Sequence, residues 1–224
     1  MRRFGRENGL SLFFLGIFLL AVLGQAVSGH RQYNQEQAAH DGSEVSLSRY
    51  VVSSDFGGSL MENWESEFLQ FTLFTLATIW LFQRGSPESK KEDDLGWMTD
   101  VQMKVGGHAD ERGPAWAKLR GWRSRIYENS LLIAMAGLFL LTWFVQSVTN
   151  WTEFNDEQTL HGQPVVRYVE YLREANFWER TFQNWQSEFL AVGTLAIFTV
   201  YLRQRGSPES KRVGAPHDET GTAI

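Results

Sequence analysis

Two segments of this chain repeat a spacing that could do chemistry. Tyr33-Asn34-Gln35-Glu36-Gln37-Ala38-Ala39-His40 is echoed by Phe154-Asn155-Asp156-Glu157-Gln158-Thr159-Leu160-His161. A Glu and a His four residues apart share a helix face. Brought together, Glu36, His40, Glu157 and His161 would offer two carboxylates and two imidazoles, a donor set that suits zinc or iron. The spacing is not the Glu-x-x-His of di-iron bundles. The competing reading is structural: Asn34 caps a short helix, with Gln37 as its capping-box partner.

A second candidate polar set is Gln25, Gln146, Glu67 and Glu188. Each glutamate opens a short apolar run three residues after a tryptophan, Trp64 or Trp185. The runs, 68–83 and 189–202, are short for a bilayer, so their helices are expected to extend outward through those tryptophans. In the second copy Trp178, Phe182, Trp185 and Phe189 keep a helical stripe. Carboxylates at that depth are candidates for an ion or proton path. The plainer alternative places them among headgroups, with the tryptophans as an aromatic belt. Gln25 and Gln146 could bond them across helices or simply hold helices together.

The elements that must position these groups are four apolar stretches. Residues 8–29 and 129–152 contain no Asp, Glu, Lys, Arg or His, and each exceeds the roughly 20 residues that cross a bilayer core. With the N-terminus inside, segments 1–8, 84–128 and 203–224 hold 16 of the 21 Lys and Arg, against five in 28–67 and 150–188. That asymmetry puts both termini in the cytoplasm. A signal peptide ending near Ala26-Val27-Ser28 is the alternative for the first stretch, and the repeat described next argues for a retained anchor.

Residues 7–90 align with 128–211 at a constant offset of 121, without a gap, and 32 of 84 positions are identical. Gln83-Arg84-Gly85-Ser86-Pro87-Glu88-Ser89-Lys90 returns unchanged as 204–211. In that octapeptide Gly85 and Gly206 suit a helix C′ cap and Pro87 and Pro208 stop the helix, whereas Ser-x-Glu-Ser-Lys is not required by capping. Gly16 and Gly137 recur in mid-helix, where glycine permits close approach. The expected fold is an all-α membrane protein of four transmembrane helices, two tandem hairpins related by a pseudo-two-fold along the membrane normal. Repeat 1 is 7–90, with spans of about 9–28 and 66–83 and outer loop 29–65. Repeat 2 is 128–211, with spans of about 130–150 and 187–203 and outer loop 151–186. A cytoplasmic linker, 91–127, joins them, and 212–224 reads as a disordered tail. Within the linker, Trp116, Leu119, Arg120, Trp122, Arg123 and Arg125 suggest a short basic amphipathic helix on the anionic inner leaflet.

The repeated Glu-Asn, the Asn-x-Glu-Gln loop, Asn-Trp-x-Ser-Glu-Phe-Leu and the doubled octapeptide together resemble an uncharacterised family of small bacterial multi-pass membrane proteins, a domain of unknown function. The resemblance implies a bacterial cytoplasmic-membrane location and carries no activity or catalytic residues.

Exclusions narrow the function. The chain has no cysteine, which removes disulfides, thiolate metal sites and thiol nucleophiles. With 21 Lys+Arg against 26 Asp+Glu, its net charge of −5 does not favour nucleic acid. No phosphate-binding glycine loop, nucleophile elbow or His-Glu-x-x-His is present. The reading is a non-enzymatic envelope scaffold or interaction module with acidic outer loops, no catalytic residue and no cofactor. Its partners are the lipid bilayer and a further copy or protein engaged through the outer loops or the QRGSPESK segments. The alternatives are ion or small-solute permeation by a homo-oligomer and a metal-dependent membrane enzyme.

Overall fold

In the computed structural model, residues 2–40 and 42–221 are described, and every regular element among them is helical. Four long helices dominate: α1 (Gly9–Ala39), α2 (Ser54–Trp80), α3 (Ser130–Leu160) and α4 (Ala175–Tyr201). α1 and α3 have 31 residues each, or about 46 Å of helix against a hydrocarbon core of about 30 Å. These two are long and apolar enough to cross a membrane, and few residues of their apolar windows are buried in protein. Leu10, Phe13, Phe14, Leu20 and Leu23 on α1 all face outward. That suits a lipid solvent and would be costly in water.

The apolar stretches do not end these helices. No proline or paired glycine interrupts 29–39, so α1 continues through Tyr33 and Glu36 to its C-cap, His40, just before Gly42. α3 likewise carries Asn155 and Glu157. The short helix expected to begin at Asn34 is therefore absent: Asn34 lies inside α1 with no helix end to cap. α2 and α4 begin at Ser54 and Ala175, well outside Trp64 and Trp185.

The chain divides into two compact units. One joins Met1–Leu60 with Gln146–Tyr171, and the other joins Met61–Val145 with Leu172–Ile224. In the first, Ala26, Tyr50 and Phe56 form a core with Val22, Tyr33, Val45 and Leu60 around it. In the second, Trp143 meets Phe139, Phe177, Trp178 and Trp185 at ring separations of 5.6–6.3 Å.

A Cβ on Gly16 or on Gly137 would meet nothing within 4 Å inside its own unit. Two glycines of the first unit are tight. A Cβ on Gly29 would come within 2.3 Å of the Tyr50 hydroxyl, and one on Gly58 within 2.7 Å of Asn150 Oδ1.

Candidate functional site

The loops that follow α1 and α3 fold back by the same device. In the first, Asn34 Oδ1 accepts from the Val45 N–H at 2.9 Å and Asn34 Nδ2 donates to the Val45 carbonyl at 3.0 Å. In the second, Asn155 does the same to Val166 at 2.9 and 3.0 Å. The position one turn earlier adds a further donor to that carbonyl: His30 Nε2 at 2.7 Å in one copy and Trp151 Nε1 at 2.8 Å in the other. A side-chain amide thus satisfies a backbone N–H and C=O eleven residues away that the loop would otherwise leave unpaired. The clamp delivers the short helices Leu47–Tyr50 and Tyr168–Tyr171, whose last tyrosines are buried. Tyr50 stacks near Tyr33, and Tyr171 near Phe154.

The ends of α1 and α3 and the start of α2 frame a solvent-open cavity of about 550 Å³. Both repeated Glu/His pairs, Glu36 with His40 and Glu157 with His161, line it, joined by Asp55, Glu153 and Asp156. No Lys or Arg lines it among the described residues. Its negative potential reaches the core: Tyr50, which hydrogen-bonds Asp55, is pushed above the ordinary phenol range first by burial and then by Asp55, with Glu36 and Glu153 adding to it. His161 Nδ1 lies 2.9 Å from the Glu157 carbonyl, so this nitrogen carries the proton and Nε2 is the ring's outer polar atom.

Sharing a cavity is not the same as sharing an ion. Among the described residues no three His, Asp or Glu side chains converge closely enough to hold a metal. The geometry is that of an acidic bowl, with Glu36, His40, Glu157 and His161 exposed on its walls.

The other candidate set is divided between the two units. Gln25 and Gln146 belong to the first unit, Glu67 and Glu188 to the second. Gln25 donates to Ser59 Oγ at 2.9 Å, and the Gln146 side chain is wholly buried. Glu67 is exposed, and its charge reaches Glu188.

The best-buried polar contacts of the second unit fall on residues that the repeat pattern does not single out. Glu65 is fully buried, and both of its carboxylate oxygens lie 3.0 Å from Trp185 Nε1. One turn away Glu62 forms an ion pair with Arg180. The matching positions of the other copy are Gln186, Gln183 and Ser59. The available signal was the i, i+3 pair of acids on one face of a helix that carries no Lys or Arg.

The repeated octapeptides are self-contained turns. In each, the first serine's hydroxyl accepts from the Glu88 or Glu209 N–H at 3.2 Å, and the second accepts from the Gln83 or Gln204 N–H at 3.0 or 2.9 Å. Gly85 and Gly206 supply the positive φ that the turn needs, +84° and +86°. They are not helix C′ residues, because α2 and α4 end earlier, at Trp80 and Tyr201, and the serines claim the following N–H groups. Lys90 reaches the Gly96 carbonyl, and Lys211, nearly buried, reaches those of Pro216, His217 and Glu219. The segment 213–221, expected to be disordered, lies along the first octapeptide: Gly85 N–H donates to Thr220, Gly221 N–H to the Ser86 carbonyl, and Arg84 pairs with Asp218. Burial raises the Glu88 carboxyl above its ordinary range, and the charge of Glu209 adds to it.

Fold and site together define an all-helical protein with two helices able to cross a membrane and an acidic, loop-framed cavity beyond their apolar parts. No solved structure and no curated protein matches the chain. It belongs to the family described as domain of unknown function (DUF6766), whose sequence profile matches residues 1–222.

Proposed function

We propose that this chain is a multi-pass protein of a bacterial cytoplasmic membrane. It crosses four times as two tandem hairpins, with both termini inside, and works without catalysis by binding a cation-bearing protein segment in its outer loops. The observation that carries the reading is the cavity itself. Five carboxylates from three separate chain segments line it, without a Lys or Arg among the described residues. Its volume lies in the range of ligand sites. Because the walls are hydrated, attraction acts through the field, over a screening length of about 8 Å at physiological salt. That favours a flexible basic segment over a tightly coordinated ion.

The test uses the full chain in neutral-lipid nanodiscs and hexalysine peptide as the probe. Binding should appear at low ionic strength, weaken with added salt, and fall at least tenfold in Glu36→Gln/Glu157→Gln. Absence of binding at low salt, or binding indifferent to the double substitution, overturns the proposal.

A further inference from the structure

The linker ahead of α3 carries a surface that the outer cavity does not involve. Residues 112–127 contain five cations (Arg112, Lys118, Arg120, Arg123 and Arg125) and no acid. The 3-10 turn Ala115–Lys118 packs against the helix Trp122–Glu128. Only Ala117 and Ser124 of this pair are buried, and Ser124 is tied to Glu128. The apolar side chains point the other way: Trp116, Leu119, Trp122 and Ile126 are exposed, Trp122 by 67%. The Arg123 guanidinium lies over the Trp122 ring, 5.4 Å from its centroid. Exposed tryptophans interleaved with cations are poorly suited to bulk water and well suited to the headgroup zone of a bilayer.

Position agrees with composition. Asn129 ends the short helix, and Ser130 opens α3, one of the two helices able to cross a membrane. The surface is therefore tethered within a residue or two of the place where that helix would enter the bilayer. A second exposed aromatic pair belongs to the same unit: Trp80, at the end of α2, meets Trp97 edge-on at 5.2 Å.

We propose that residues 112–127 form a membrane-contact surface selective for anionic lipid headgroups, with Trp116 and Trp122 seated at the headgroup level and Lys118, Arg120, Arg123 and Arg125 contacting phosphate. Each such cation strengthens attachment about fivefold on an anionic surface, and the attraction is screened by salt. The inference needs α3 to be inserted in a bilayer but is independent of what the outer cavity binds.

Because the chain has no native cysteine, one reporter can be placed cleanly. Leu119→Cys, labelled with an environment-sensitive fluorophore, is incorporated as full-length protein into nanodiscs of phosphatidylcholine alone or mixed with phosphatidylglycerol. The expected result is a blue-shifted emission in the anionic discs, reversed by high salt and lost when Lys118, Arg120, Arg123 and Arg125 are all changed to Gln. The same labelled protein is compared across lipids, so a folding defect cannot mimic the difference. Equal emission in both discs overturns the proposal, whether blue-shifted (insertion without headgroup preference) or unshifted (a face kept for another partner). Hexalysine binding measured on the same samples reports the outer cavity separately, so either idea can fail alone.

Discussion

Removing the clamp asparagine should loosen the loop that it holds. In Asn34→Ala the Val45 carbonyl keeps His30 Nε2 at 2.7 Å, but the Val45 N–H loses its Asn34 Oδ1 acceptor. A stranded, partly buried N–H costs about 1–3 kcal/mol. The loop has no other amide clamp of this kind, so about 2 kcal/mol falls on its local closing equilibrium. That corresponds to roughly thirtyfold more opening. Hydrogen exchange of the peptide covering 43–50, read by mass spectrometry in nanodiscs, should accelerate by about that factor while α4 is unaffected. The second copy supplies an internal repetition. In Asn155→Ala the Val166 carbonyl keeps Trp151 Nε1, so exchange over 164–171 should accelerate similarly. If either alanine variant leaves its loop within twofold of the wild-type rate, the clamp does not hold the loop and the cavity walls need another explanation.

Other perturbations reach other parts of the fold. Gly29→Ala gains up to about 1 kcal/mol of helix propensity but sets a Cβ 2.3 Å from the Tyr50 hydroxyl; overpacking of about 1–3 kcal/mol should win, lowering the thermal midpoint, with Tyr50→Phe recovering part of the loss. Trp185→Phe removes the indole donor to the buried Glu65 carboxylate and should destabilise by about 1–3 kcal/mol, whereas the same change in a Glu65→Leu background should be nearly neutral in detergent unfolding. For Glu88 the folded state raises the carboxyl's proton affinity, so its contribution is full at low pH and declines as pH rises through the shifted value. Glu88→Gln should therefore raise the midpoint at neutral pH and leave it unchanged near pH 4.

Much of this was legible in residue patterns, though unevenly. The charge-free stretches located the apolar cores of α1 and α3, because nothing but a buried or lipid-facing helix tolerates such runs. Loss of apolar character marks where a span can end, not where its helix ends. A helix continues through Tyr33 to Ala39 regardless of polarity, because no residue there breaks it. The octapeptide was recognised as a unit, but its serines could be explained only once the N–H groups of Gln83 and Gln204 were seen to lack helical partners. Glu36, His40, Glu157 and His161 were picked out by repetition and do line one cavity. Glu62, Glu65 and Arg180 carry no repeat signature, because these side chains act where the copies differ.

The ion pair between Glu62 and Arg180 also bears on descent. If the repeats arose from a hairpin that once paired with itself, position 62 of the first copy would have faced its twin's Ser59, and position 183 of the second would have faced another Arg180. Two first copies would bury a pair of acids with no guanidinium, and two second copies a pair of guanidinium groups with glutamine. Each half has thus specialised in one sign of charge. Two identical halves would lack this ion pair, because neither repeat carries both of its partners.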